Sequence, residues 1–184
     1  MPRLRGTDFY VVPPLAGALL IYAPEMLSIT PCIWYDGAAL DAANFYVDVI
    51  PNSRIVGVQH APIDYPAGKA GDVLTVRIEL NGQPFTLLNG GPGHPVTDAV
   101  SFQLDCQSQD EVDRLWAAFT AEGQEVMCGW LTDKFGVSWQ VVPIEIDKYL
   151  NGDDKERSAR AMAEMMTMIK LDVNRLREVY FNDR

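Results

Sequence analysis

One order of elements occurs twice along this chain, and few folds accommodate it. Ile29–Tyr35 reads as a strand, with Pro31 marking an edge or a bulge. Ala39, Ala42, Ala43, Tyr46 and Val49 then fall at helical spacing, predicting a helix over 38–50 that Pro51 ends. Three strand-like runs follow, Arg54–Gln59, Val73–Leu80 and Pro84–Leu88. The last two flank Asn81-Gly82, the pair best suited to a two-residue hairpin turn because both of its positions need φ > 0. Asn89–Gly93 breaks the pattern, and the order restarts. Ala99–Leu104 is the second opening strand, Ser108 with Glu111 forms a capping box, and Val112, Leu115, Trp116 and Phe119 line a helical face that Gly123 ends. Short strands are expected at Glu125–Cys128, Trp130–Thr132 and Val137–Val142, with Asp133–Gly136 as a structural turn. Hairpins inside each unit demand antiparallel pairs, so the class is α+β, built of two tandem βαβββ modules at 29–90 and 98–143.

Beyond residue 143 the period becomes purely helical. Ala159, Met162, Ala163, Met166 and Ile169 form a stripe widened by Met165 and Met168, and Asp172 caps a last short helix through Tyr180. This is a C-terminal helical tail, 144–184, best read as adaptable packing. At the other end, residues 1–28 form a leader or extension. Pro13-Pro14 interrupts the apolar run, Ile21-Tyr22-Ala23 lacks the small residue a signal cleavage site requires, and Met26 offers an alternative start.

Charge and thiols narrow the partners. With 15 Lys+Arg against 25 Asp+Glu in 184 residues the net charge is −10, which opposes binding to nucleic acid or an anionic membrane. Cys32, Cys106 and Cys128 are widely spaced, with no zinc-like pattern, and three unpaired thiols suit a reducing cytoplasm. The chain has no Gly-x-Ser-x-Gly elbow, P-loop or His-Glu-x-x-His helix. Asn89-Gly-Gly-Pro-Gly-His-Pro95 is not a cofactor loop, because prolines and then a strand follow it where a helix N-terminus is needed. The only two histidines are His60, at a strand end, and His94, in that loop.

Ile29-Thr-Pro-Cys-Ile-Trp-Tyr-Asp36, Asn44-Phe-Tyr46, Asn52-Ser53 and the junction Asn89-Gly-Gly-Pro92 resemble the PhnB-like branch of the vicinal-oxygen-chelate (glyoxalase/bleomycin-resistance) superfamily. The most specific match is Cys128-Gly-Trp-Leu-Thr-Asp-Lys-Phe-Gly-Val-Ser-Trp-Gln-Val-Val-Pro143. This branch often carries the label 3-demethylubiquinone-9 3-methyltransferase. The resemblance implies two modules forming a curled mixed sheet around a cavity, a homodimer, and in active members a divalent metal held by strand-borne His, Glu or Gln.

The chain departs from that ligand set. The first strand offers only Cys32, a soft ligand, Pro84–Leu88 offers none, and Ala99-Val-Ser101 stands where a His is expected. Gln140 alone keeps a usable oxygen, so no metal and no cofactor are expected. A Rossmann-type methyltransferase also needs a parallel doubly wound sheet, which the hairpins exclude. Three readings stay open. The first is a metal-independent small-molecule binder, with Trp34, Trp130 and Trp139 as apolar walls and Cys32, Asn89, Ser138 and Gln140 as polar contacts. The second is an enzyme of the superfamily with His60 as general base, and the third is the methyl transfer of the label.

Overall fold

The computed structural model describes residues 28–182. The expected leader over 1–28 lies outside the described residues except for Ser28. The first module runs β1 (Cys32–Tyr35), α1 (Ala39–Val49), β2 (Arg54–His60), β3 (Val73–Leu80) and β4 (Gln83–Asn89). The second runs β5 (Phe102–Cys106), α2 (Gln109–Thr120), β6 (Gln124–Glu125), β7 (Trp130–Thr132) and β8 (Ser138–Pro143). Each forms a four-stranded mixed sheet of the same topology, β1-β4-β3-β2 and β5-β8-β7-β6. The opening strand pairs parallel with the last one, β1 with β4 and β5 with β8, and the other pairs are antiparallel. This is the α+β arrangement of two βαβββ modules expected from the sequence, but the sheets are separate and neither closes into a barrel.

Local chemistry explains most boundaries. Asn81 (φ 44°) and Gly82 (φ 87°) make the expected turn and set Leu80 opposite Gln83. Ser108 Oγ accepts the Glu111 backbone N–H at 3.2 Å, and the Glu111 carboxylate accepts the Gln107 N–H at 2.8 Å, so α2 starts where its cap says. Three expectations are corrected. β1 and β5 begin at Cys32 and Phe102, where their parallel registers with β4 and β8 start, and Ala99 and Val100 lie in a turn instead. The Glu125–Cys128 strand shrinks to Gln124–Glu125, since Cys128 (φ 60°) and Gly129 (φ 81°) turn the chain into a short 3₁₀ segment. The methionine helix is displaced toward the N-terminus, α4 (Lys155–Met165), because Asp154 accepts the Glu156 and Arg157 N–H groups at its start.

Strand alternation divides each sheet into a packed and an open face. In the first sheet Ile33, Tyr35, Val76, Ile78, Leu80, Phe85 and Leu87 point to α1 and the core. In the second, Cys106, Leu131, Trp139 and Val141 do the same toward α2. The two packed faces share one core. Phe85 meets Phe102 edge to face with centroids 5.0 Å apart, and Phe45 meets Phe119 at 5.4 Å. The tail, α3 (Asp147–Leu150), α4 and α5 (Val173–Phe181), makes a second small core with Ile146, Tyr149, Ala161, Met168, Leu171, Leu176 and Tyr180, and Val142 joins it to the second sheet.

Candidate functional site

The open face of the first sheet holds the side chains with the fewest packing duties. Register sets them in rows across the strands, roughly 4.8 Å apart. One row is Cys32, Thr86, Arg77 and Gly57, and the next is Trp34, Leu88, Thr75 and Gln59. Arg54 and Glu79 end the face in an ion pair of 2.6 Å. Arg77 is exposed and, among the described residues, has no carboxylate at ion-pair distance. Gly57 beside it leaves its guanidinium unshielded on that side. Burial raises the pKa of the Cys32 thiol, so the thiol stays protonated in neutral solution and is a weak polar contact here.

Trp34 anchors one side of this face. Its Nε1–H donates to the Gly91 carbonyl at 2.7 Å, and the His94 ring lies 4.5 Å away, centroid to centroid. A Cβ at position 90 would come within 2.2 Å of the indole, so the glycine cluster exists to let backbone pass over Trp34. Asn89 serves the scaffold. Its Oδ1 accepts the Ala39 N–H at 2.9 Å, satisfying the start of α1, and its Nδ2 donates to the Val73 carbonyl at 2.9 Å.

The second sheet brings Trp130, Gln140 and Gln103 into one row on its own open face, with Gln140 Nε2–H donating to Ser101 Oγ at 2.9 Å. Ser138 shares that strand side but is buried. Trp139 points the other way. It is 1% exposed, in the core, and its Nε1–H donates to Asp133 at 2.9 Å. His60 stands apart at the end of β2, its Nδ1 2.8 Å from the Gly71 carbonyl. Of the residues expected to form one site, Cys32 and Trp34 therefore share the first open face, and Trp130 and Gln140 the second. Asn89, Ser138, Trp139 and His60 join neither cluster.

Asp133, expected only as a turn residue, is a buried hub between the modules. Its Oδ2 accepts from Tyr46 Oη at 2.7 Å and from Trp139, and its Oδ1 accepts the Phe135 and Val137 N–H groups at 2.8 and 3.0 Å. Tyr35 and Tyr46 hydroxyls lie 3.1 Å apart, and burial drives the pKa of both well above the ordinary phenol value.

A cleft of about 710 Å³ opens elsewhere, between the packed face of the first sheet and the edge strand β5. Of the expected site residues only Trp139 touches it. The metal implied by the resemblance does not fit these donors. Cys32 and Gln140 sit on different sheets, Glu79 is committed to Arg54, and no group of three His, Cys, Asp or Glu suited to a metal occurs among the described residues.

The sequence profile of the 3-demethylubiquinone-9 3-methyltransferase family matches residues 27–142. A PhnB protein from Bacillus cereus is 31% identical, with a TM-score of 0.58 over 64% of this chain and 99% of that one. Protein PA1353 from Pseudomonas aeruginosa has the same fold, at 20% identity and a TM-score of 0.54 over 63% of this chain and 96% of that one. The fosfomycin resistance protein FosX from Listeria monocytogenes aligns at 14% identity and a TM-score of 0.40, over 65% of this chain and 91% of that one. No curated protein matches.

Proposed function

Because the chain belongs to the 3-demethylubiquinone-9 3-methyltransferase family, the PhnB-like branch of the vicinal-oxygen-chelate superfamily, we propose that it binds a small molecule without a metal, on the open face of its first sheet. The observation that carries this reading is Arg77. It is a cation without an ion partner among the described residues, in a row with Thr86 and Cys32 and beside the apolar pair Trp34 and Leu88. Such a face suits a compound with an anionic group and an aromatic or aliphatic body: the guanidinium and the Thr86 hydroxyl donate to the anion, and the indole covers the body.

The family's name does not carry over as a mechanism. Two mixed sheets with parallel pairs at their edges differ from the doubly wound parallel sheet of Rossmann-type methyltransferases. The Gly-rich loop here covers Trp34 and leads to a strand. His60, the base of an enzymatic reading, is too far along β2 to share a row with Cys32 or Trp34.

The proposed working form is a homodimer in a reducing cytoplasm. A second copy turns the flat open face into an enclosed site, and the three cysteines are free thiols. No helix among the described residues is long and apolar enough to cross a membrane. A thermal-shift screen of aromatic carboxylates and phosphonates in chelator-treated buffer tests the reading. A ligand at a hundred times its Kd should stabilise the protein by about 2.7 kcal/mol. Arg77→Ala, an exposed site, should abolish the shift while leaving the ligand-free melting temperature unchanged. Hits that survive Arg77→Ala, or that appear only when a divalent metal is restored, would overturn it.

A further inference from the structure

We propose that the cleft between the modules is a second binding site, separate from the open face, for a small organic cation with an aromatic or alkyl body. Its volume of about 710 Å³ lies in the range of small-molecule sites. The floor is apolar: Phe85 and Leu115 are buried there, and Phe102 stands half-buried with its ring 5.0 Å from that of Phe85. The rim is acidic. Asp105 on the edge strand β5 and Glu111 in the first turn of α2 both line the cleft, and none of its lining residues among the described residues is Lys, Arg or His.

Both carboxylates are held by amides rather than by cations. Gln103 Nε2–H donates to Asp105 at 2.7 Å, and the Gln107 backbone N–H donates to Glu111 at 2.8 Å. Neither has an ion pair among the described residues, and the nearby Arg114 turns its guanidinium to the Val49 carbonyl at 3.0 Å. Their negative field is felt inside the cleft wall. The buried Cys106 thiol is pushed up to about 12, first by burial and then by Glu111, with Asp105 adding to the shift and Arg114 opposing it.

Charge selects the occupant. An anion would face two carboxylates without a counter-charge. A neutral body would strip water from them and return nothing. A bare metal ion would leave the aromatic floor unused. An organic cation satisfies both surfaces, its charge at the acidic rim and its body on Phe102 and Leu115. The chain's net charge of −10 draws such a ligand in.

The test is calorimetry on the full chain with two probes of similar size, a naphthylmethyl-trimethylammonium cation and naphthalenesulfonate. The cation should bind once per chain, at least about tenfold more tightly than the sulfonate, and weaken as salt rises. The double variant Asp105→Asn/Glu111→Gln should bring the two probes within about twofold of each other. Because Glu111 helps to cap α2, Asp105→Asn alone, at an exposed position, should remove part of the preference with the melting temperature unchanged. Arg77→Ala should leave cation binding as it was, which separates this site from the open face. Equal binding of the two probes, no binding because a second copy fills the cleft, or chemical-shift changes at Trp34 instead of Phe102 and Leu115 would each overturn the proposal.

Discussion

At the scale of single residues, the buried Asp133 carboxylate ties the two modules together through Tyr46. It is 4% exposed, yet two side-chain donors and two backbone N–H groups converge on it, one of them from Tyr46 in the other module. Four donors offset the cost of burying the charge, and removing the acceptor leaves the Val137 and Trp139 N–H groups buried and unpaired. Asp133→Ala should therefore cost about 3 kcal/mol or more in a urea titration, and Tyr46→Phe, which removes one donor, about 1 kcal/mol. Nearly equal losses for the two would mean that the backbone bonds at Phe135 and Val137 contribute little. The sequence marks Asp133 as a turn residue, because an Asp before Gly136 suits a hairpin. Its tie to Tyr46, 87 positions away, is a tertiary contact that no local spacing reveals. Arg77 is nearer to legible. Once Asn81-Gly82 places Leu80 opposite Gln83, counting back sets Arg77 opposite Thr86.

Among elements, the tail owes its position to a few polar clasps as much as to its own core. Gln109, the first residue of α2, donates from Nε2 to the Leu171 carbonyl at 3.0 Å and accepts the Val173 N–H at 2.9 Å, gripping the start of α5 by both ends of one amide. Lys170 pairs with Asp113 on the same helix at 2.5 Å, and the Cys128 and Gly129 N–H groups donate to the Met168 and Ile169 carbonyls at 2.8 and 2.7 Å. Leu171 packs so closely over Gly129 that a Cβ there would come within 2.8 Å of it. Gln109→Ala should lower stability by about 1–2 kcal/mol. Hydrogen exchange checks where the loss falls: the Val173 amide and its neighbours in α5 should lose protection first, with the β3–β4 hairpin unchanged. The hydrophobic stripe 159–169 announces a helix but mislocates it, because Asp154 starts α4 and the chain leaves the helix at Met166 to reach this docking site.

The whole molecule is two sheets that share a core on one side; the first leaves its other side open, and the tail covers part of the second's at Val142. An open sheet face with an edge strand on either side is a surface for association. Val56 and Val58 on β2, 48% and 40% exposed, add apolar area to the first sheet's free edge. Sedimentation at micromolar concentration should give about twice the 20.5 kDa of one chain. Replacing both valines by Lys should shift the protein toward the monomer without loss of secondary structure. A monomer for the unaltered chain would sink the dimer proposal. It would not touch the cleft, whose walls come from one chain.

Periodicity and turn chemistry, read from the sequence, determine the α+β class, the order of most elements, the Asn81-Gly82 hairpin and the cap of α2, because each depends on residues close together along the chain. They also determine how few strong metal donors the strands carry. Tertiary structure alone decides which parallel strand joins which, that Trp139 faces the core while Gln140 faces outward, and that Asn89 is spent on the start of α1. It also opens the acidic cleft, from segments that meet only when the modules pack. The physical reason is range: a turn or cap is set within about four residues, whereas pairings such as Cys32 with Thr86 depend on burying both modules' apolar faces at once.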